Sequence, residues 1–314
     1  LLAAVAEQGD VLVRASFSPL VREAQGFGCG LFDGRTRLLA SRGAPCLCGT
    51  LGTTAARLLE VCQMKDLKPG DVIFSGDPPV GADPASLCLA TPIVAAGGAV
   101  VGLALSTVLT TEELGTIGDD NGGSDPEVAG ADRAGGLEVL HLTSKGVQRE
   151  ALAAVLAKRR RRCPDTAVGD AFALVASNNL LGRRVQEALT EFGAIDLVTV
   201  ADYLLEASRT AALRRMEARF PRGEWTKHLN LDNGSDATEG CGCSGQLQLA
   251  ARVRVGDDGI HAEVSAMRCH DCGGTHVVPV PWPDGKAHIR FALACALGRD
   301  LPWNGGSEET CTSS

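Results

Sequence analysis

Gln246-Leu247-Gln248-Leu249-Ala250-Ala251-Arg252-Val253-Arg254-Val255-Gly256-Asp257-Asp258-Gly259-Ile260-His261-Ala262-Glu263-Val264-Ser265-Ala266-Met267 is the stretch from which the fold is read. Leu, Val, Ile and Ala occupy every second position on both sides of Gly256-Asp257-Asp258-Gly259. That is the pattern of two half-buried strands joined by a tight turn. If Val255 pairs with Ile260, partner numbers keep a sum of about 515, because an antiparallel ladder holds that sum constant. Carried to the open end, the register sets Cys243 against Cys272, with Cys241 near Cys269. Two distant pairs, Cys241-Gly242-Cys243 and Cys269-His270-Asp271-Cys272, are thereby brought together. Four thiolates at a hairpin mouth suit a tetrahedral, structural Zn2+, and Gly240, Gly242, Gly273 and Gly274 allow the turns it needs. His270 or His276 is an alternative ligand. Unliganded thiols, or a redox pair or disulfide, remain the competing readings.

Working outward, the region from Phe220 is β-rich, with a further strand over His228–Leu231. Ala287–Leu297 reads as a terminal helix, and Gly305–Ser314 as a polar, frayed end. Upstream lie three helical patterns, Glu150–Arg162, Asp170–Phe192 and Thr199–Arg219. The second carries Phe172, Val175, Leu180 and Leu181, with Arg183 and Arg184 on its other side. Lys158-Arg159-Arg160-Arg161-Arg162 reads as a solvated helix end, with an anion or partner-docking patch as the alternative. The first part begins with a helix interrupted near Ser16–Pro19. Strands follow around Asp33-Gly34, then a helix over Gly49–Met64, broken at Pro69-Gly70. Further strands are expected over Asp71–Phe74, Leu87–Val94, Ala99–Leu109 and Leu137–Thr143. The expected class is therefore α+β, with mixed sheets, a central helical segment and a C-terminal hairpin region carrying the candidate zinc site. Its divisions are an α+β region over 1–145, a helical segment over 146–220 and a β-rich region over 221–314.

Composition narrows the function. With 314 residues, 45% apolar and 22% charged, the chain can bury a substantial core, which excludes wholesale disorder. A net charge of −8 argues against nucleic acid or an anionic membrane as partner. Aromatic residues (Phe 8, Trp 3, Tyr 1) are too sparse for base stacking. The longest apolar stretch, Leu87–Thr107, is broken by Pro92, Gly97, Gly98 and Gly102 and is not a membrane span. No targeting signal is visible, so a cytoplasmic protein with reduced thiols is expected. The absent initial Met suggests a trimmed chain. No Gly-x-x-x-x-Gly-Lys-Ser/Thr occurs, so no conventional ATP loop is expected.

Chemistry-bearing candidates outside the hairpin lie where loops follow strands. Asp77 sits in Asp77-Pro78-Pro79-Val80-Gly81-Ala82-Asp83, which also reads as a plain turn. Glu112 and Glu113 follow another strand and offer a carboxylate base or metal ligand, or ordinary surface charge. Cys46-Leu47-Cys48 stands near a helix N-terminus, as reactive or packed thiols. His141, His228, His261 and His288 show no ligand spacing.

The order of segments resembles the hydantoinase B/5-oxoprolinase family, related also to large subunits of acetone and acetophenone carboxylases. The resemblance is carried by Phe27-Gly28-Cys29-Gly30-Leu31-Phe32-Asp33-Gly34 and by Leu67-Lys68-Pro69-Gly70-Asp71-Val72-Ile73-Phe74-Ser75-Gly76-Asp77-Pro78. It continues from Asp170 through Gly193, with Ala176-Ser177-Asn178-Asn179, then Gly182-Arg183-Arg184 and Phe192-Gly193, in Pro221-Arg222-Gly223-Glu224-Trp225, and in Leu301-Pro302-Trp303-Asn304-Gly305-Gly306. The departures fall on polar positions. Pro45-Cys46-Leu47-Cys48-Gly49-Thr50 stands where the family has a histidine. Val108-Leu109-Thr110-Thr111-Glu112-Glu113-Leu114-Gly115 stands where it has a histidine pair that resembles a metal site. Gln25 and Gly26 replace its usual Arg and Asp, and the chain stops short of the family's usual C-terminus. Asp77 and Glu113 are the catalytic candidates that survive, and without imidazole they suit a hard ion such as Mg2+ or Mn2+. The resemblance implies an A-type partner that uses ATP to activate a lactam, hydantoin or ketone, the B-type subunit completing the reaction. The expected function is a degenerate B-type subunit with a mainly structural role, in a hetero-oligomer with hydantoinase A-like and other B-like subunits. An active B-type subunit using Asp77, Glu113 and a cysteine is the second reading. A zinc-ribbon binding module is the third.

Overall fold

The computed structural model describes residues 1–75, 86–109, 139–142, 164–193, 196–232, 246–257, 259–269, 292, 304–305 and 311–313. The chain divides into two compact units, Leu1–Leu205 and Glu206–Ser314. Both are mixtures of helices and largely antiparallel sheet, so the α+β class holds.

The first unit is built on a six-stranded sheet in the order β2-β1-β5-β4-β3-β6. Its strands are β1 (Phe27–Asp33), β2 (Leu38–Gly43), β3 (Val72–Ser75), β4 (Ser86–Val94), β5 (Val100–Leu109) and β6 (Val139–Leu142). Every neighbouring pair is antiparallel. Helices α1 (Leu2–Ala15) and α4 (Pro164–Glu191) contact one face, while α3 (Pro45–Val61) contacts β1, β2 and β5. With helices on both sides, β1 is buried at every residue, and β5 at all but its ends. Alternation then sorts the side chains. Phe27, Cys29 and Leu31 of β1 join Val5, Leu12, Leu174, Leu181 and Val185 in one core. Phe32, Leu103, Leu105 and Ile73 join Leu51, Ala55 and Leu58 of α3 in the other. Each such fully buried Leu contributes roughly 1.5–3 kcal/mol of transfer free energy.

Local chemistry sets the element ends. Between α1 and the short α2 (Pro19–Arg22), the Asp170 carboxylate accepts the N–H groups of Phe17 (2.7 Å) and Ser18 (3.1 Å). That bond explains why the first helix breaks where Ser and Pro indicate. The β1–β2 turn runs from Asp33 to Arg37 rather than through Asp33-Gly34 alone. Asp33 Oδ1 accepts the N–H groups of Arg35 and Arg37, and Thr36 takes the left-handed conformation at φ 62. Helix α3 starts at Pro45, four residues earlier than the apolar periodicity indicates, because Pro at a first helical position costs no hydrogen bond. Gly28 lies directly beneath it: a Cβ there would stand 3.0 Å from Leu47 Cβ and 3.1 Å from its carbonyl carbon. The glycine lets helix and sheet meet.

In α4, Val168, Ala171, Leu174, Asn178, Leu181, Val185 and Leu189 form the buried stripe, while Arg183 and Arg184 are exposed. Arg184 forms bidentate bonds with Glu7 of α1, at 2.7 and 2.8 Å.

The second unit holds a four-stranded sheet, β10-β9-β8-β7. Its strands are β7 (Gly223–Asp232), β8 (Gln246–Val255), β9 (Ile260–Cys269) and β10 (Cys311–Ser313). The C-terminal part of α5 (Leu197–Arg219) supplies Met216 to a small core with Val255 and Ile260. The hairpin register holds as read: Val255 pairs with Ile260, and the ladder continues without a shift to Ala250 opposite Ser265. A bulge between Gln248 and Ala250 then moves it by one residue, so Leu247 faces Cys269. The chain end differs from its reading as a frayed tail. Cys311–Ser313 pair in parallel with Ile260–Ala262, because a ladder uses main-chain groups that polar residues also possess. The expected helices over Glu150–Arg162 and Ala287–Leu297 fall almost wholly outside the described residues. Among the described residues, no helix is long and apolar enough to cross a membrane.

Candidate functional site

Antiparallel order fixes where loops leave the first sheet. Chain direction alternates from strand to strand, so β2, β5 and β3 end at the same margin at which β1, β4 and β6 begin. The register makes this explicit. Gly43 lies opposite Gly28, Phe27 opposite Val108, Ser86 opposite Leu109, and Ser75 opposite both Cys88 and Val139. From this margin β2 leads into Cys46 and Cys48 in the first turn of α3. Strand β3 leads into the stretch containing Asp77, and β5 into the stretch containing Glu112 and Glu113. Strands lie about 4.8 Å apart, so the ends of β3 and β5, with β4 between them, are roughly 10 Å apart. Asp77 and Glu113 themselves lie outside the described residues, as does the side chain of Cys46. Spatial convergence of their strand ends is something the sequence pattern did not reveal.

Thiols at and beneath this margin differ in environment. Cys29 and Cys88 are buried free thiols, and burial raises both above the ordinary thiol range, Cys88 to about 12. Such groups stay protonated and unreactive near neutrality. Cys48 is half-buried.

The described polar residues of the family-like motifs hold the fold together. Asp33, fully buried, closes the first hairpin and also pairs with Arg37 at 2.6 Å. Asp71 accepts the Lys68 N–H at 2.7 Å and so closes the Pro69-Gly70 turn. Asn178 is fully buried between α4 and the sheet. Its Oδ1 accepts from Gln8 Nε2 and from Ser106 Oγ, both at 2.8 Å, and its Nδ2 donates to the Leu89 carbonyl at 3.2 Å. One amide thus ties α4 to α1, β5 and β4. In the second unit Asn304 Nδ2 donates to Ser208 Oγ of α5 at 2.8 Å, both residues being buried. Gln8 and Ser106 carried no signal in the sequence; only the long-range contact identifies them.

Asp170 is also buried, and desolvation raises its carboxyl above the ordinary range, although the N–H groups of Phe17 and Ser18 oppose the shift. Of the candidate zinc ligands, Cys269 ends β9 opposite Leu247, while Cys241, Cys243 and Cys272 lie outside the described residues. Among the described residues, no group of three His, Cys, Asp or Glu side chains is placed to hold a metal. His141 pairs with Ile73 inside the first sheet, and His228 and His261 lie in β7 and β9, in keeping with their reading as strand residues.

Comparison with known proteins gives the frame for these residues. The family model described as Hydantoinase B/oxoprolinase matches residues 1–313. A provisionally named B-type component of a D-/L-hydantoinase from Pseudomonas sp. (strain NS671) is 27% identical over 249 residues, covering 74% of this chain and 40% of the relative. The fold is similar to that of an ATP-dependent caprolactamase from Pseudomonas jessenii, with a TM-score of 0.73 and 18% identity. That alignment covers 99% of this chain and 52% of the caprolactamase chain. It is also similar to a nucleotide-free acetone carboxylase, with a TM-score of 0.70 and 13% identity, over 99% of this chain and 41% of the other. The chain thus spans about half the length of these relatives, or less. With a family match running over nearly its whole length, the chain belongs to the Hydantoinase B/oxoprolinase family.

Proposed function

We propose that this chain is a B-type subunit with a mainly structural and assembly role in an ATP-dependent hydantoinase, oxoprolinase or carboxylase-type complex. One observation carries the reading. The motif residues that the chain retains, Asp33, Asp71, Asp170 and Asn178, are those that build turns, a helix junction and the helix–sheet contact. The stretches that leave the common sheet margin carry Cys46, Cys48, Asp77 and Glu113 without a histidine among them. A scaffold keeps its shape under such replacement, whereas acid–base or metal chemistry loses its imidazoles. In this reading an A-type partner binds ATP and activates the substrate, and the present chain supports the assembly in the cytoplasm.

The test is co-expression with an A-type partner, followed by assays with a lactam, a hydantoin and a ketone in the presence of ATP. A stable complex in which Asp77→Ala and Glu113→Ala leave any turnover unchanged is the expected result. The convergence of the β3 and β5 ends favours a second reading, an active subunit that uses Asp77, Glu113 and a margin cysteine. Loss of turnover in either variant, with the complex intact, would establish it over the first.

We also propose a structural Zn2+ held by Cys241, Cys243, Cys269 and Cys272. Supporting it are the β8–β9 pairing, which runs out to Cys269, and the softness of four thiolates, which suits zinc in a closed site. Bound zinc supplies cross-linking there, not catalysis. Metal analysis of purified protein should find close to one equivalent, and less than about a tenth of an equivalent rejects the site.

A further inference from the structure

Strand β7 is the outer strand of the second sheet, and no described strand pairs with its free side. Residues 223–228 are exposed without exception, although alternate residues point to opposite faces. Trp225 is among them, at 46% exposure. An edge of this kind presents unpaired N–H and C=O groups and acts as a template for another strand. Glu224 has an ion-pair partner in Arg252 at 3.3 Å, whereas Lys227 and His228 have none among the described residues.

We infer that β7 pairs antiparallel with β7 of a second copy of this chain, around a twofold axis at Thr226. Geometry limits the register, and side-chain complementarity selects within it. Residues directly opposite in an antiparallel ladder are either both hydrogen-bonded across it or both not. Along one strand the outward-facing backbone groups alternate, so a twofold pairing must be centred on a residue and never between two. Centring on Lys227 opposes two ammonium groups, and centring on His228 sets Glu224 against Asp232. Centring on Trp225 leaves Lys227 opposite Gly223. Centring on Thr226 places Glu224 opposite His228 on one face and Trp225 opposite Lys227 on the other. The twofold repeats each contact. These are an acid–imidazole pair and an ammonium–indole pair, both favourable across strands. The exposed Trp225 thereby gains a partner, and a continuous sheet forms across two molecules. This inference is independent of the functional reading above.

Sedimentation equilibrium of the full 314-residue chain over a wide concentration series tests it. The parent should show reversible monomer–dimer behaviour. Glu224→Lys and His228→Glu should each weaken association about tenfold. The first sets an ammonium against imidazole, the second sets carboxylate against carboxylate, and the axis repeats each clash. The double variant Glu224→Lys/His228→Glu should recover association, because an ammonium then faces a carboxylate in each pair. Trp225→Ala should weaken it independently. Far-UV circular dichroism confirms that each variant keeps its fold, since all the sites are exposed. A parent that stays monomeric throughout overturns the inference. So does a dimer indifferent to the single changes, or a double variant weaker than both singles.

Discussion

Replacing Asn178 by Ala tests the central claim about the first unit, that one buried amide fastens α4 to the sheet and to α1. The substitution removes the acceptor for Gln8 Nε2 and Ser106 Oγ, and the donor to the Leu89 carbonyl. Gln8, Ser106 and Asn178 all have no measurable exposure, so water does not replace the lost bonds without local opening. A buried polar group left unpaired costs about 1–3 kcal/mol, which puts the two orphaned donors at about 2–6 kcal/mol. Against a typical domain stability of about 5–15 kcal/mol, that is a large fraction. Urea unfolding followed by circular dichroism, read on the transition of the first unit, measures the loss. Gln8→Leu alone should cost less, because its Oε1 has no partner even in the parent. The double change Gln8→Leu/Asn178→Leu should cost less than the sum of its singles, giving a coupling of about 1–3 kcal/mol. A loss below about 1 kcal/mol for Asn178→Ala, or additive singles, would show that Asn178 does not fasten α4 to the sheet.

Three other outcomes follow from single residues. Thr36 holds φ 62 at the β1–β2 turn, a conformation disfavoured for a β-branched side chain. Thr36→Gly should stabilise the chain by about 0.5–1 kcal/mol, the relief of strain being partly offset by backbone entropy, as thermal unfolding will show. Asp170 has a folded-state pKa raised by burial. Its contribution to stability is therefore fully present below the unfolded carboxyl pKa and is lost as pH rises through the raised folded value. The stability of the parent relative to Asp170→Asn should fall across that acid window, and a rise would contradict it. Cys88 and Cys29 should resist iodoacetamide in the native protein near pH 8 and react in urea, with labelled peptides counted by mass spectrometry. Rapid native labelling of either contradicts their burial.

What was legible in the sequence was local. The β8–β9 register followed from alternation and one turn, and it holds until the bulge between Gln248 and Ala250. No pattern of apolar residues encodes that bulge, because it inserts one unpaired residue without changing composition. The break after α1 was legible from Ser and Pro, but its cause, the Asp170 carboxylate about 150 residues away, was not. Strand β10 was unreadable because Cys311-Thr312-Ser313 carries no apolar alternation, whereas a ladder needs only main-chain groups. Family membership was readable, since short motifs in a fixed order survive the loss of individual polar groups. Their roles were not, because Asn178 and Asp33 look the same in a sequence whether they bind a substrate or a backbone.

Periodicity and the order of motifs along the chain were enough for the α+β class, the hairpin and the family. That the segments leading to Cys48, Asp77 and Glu113 leave one sheet margin, and that Asn178 is a structural tie, emerges from the packed fold alone. Both depend on which strands lie side by side. Strand order is set by burial of side chains distant in sequence, which no local pattern specifies.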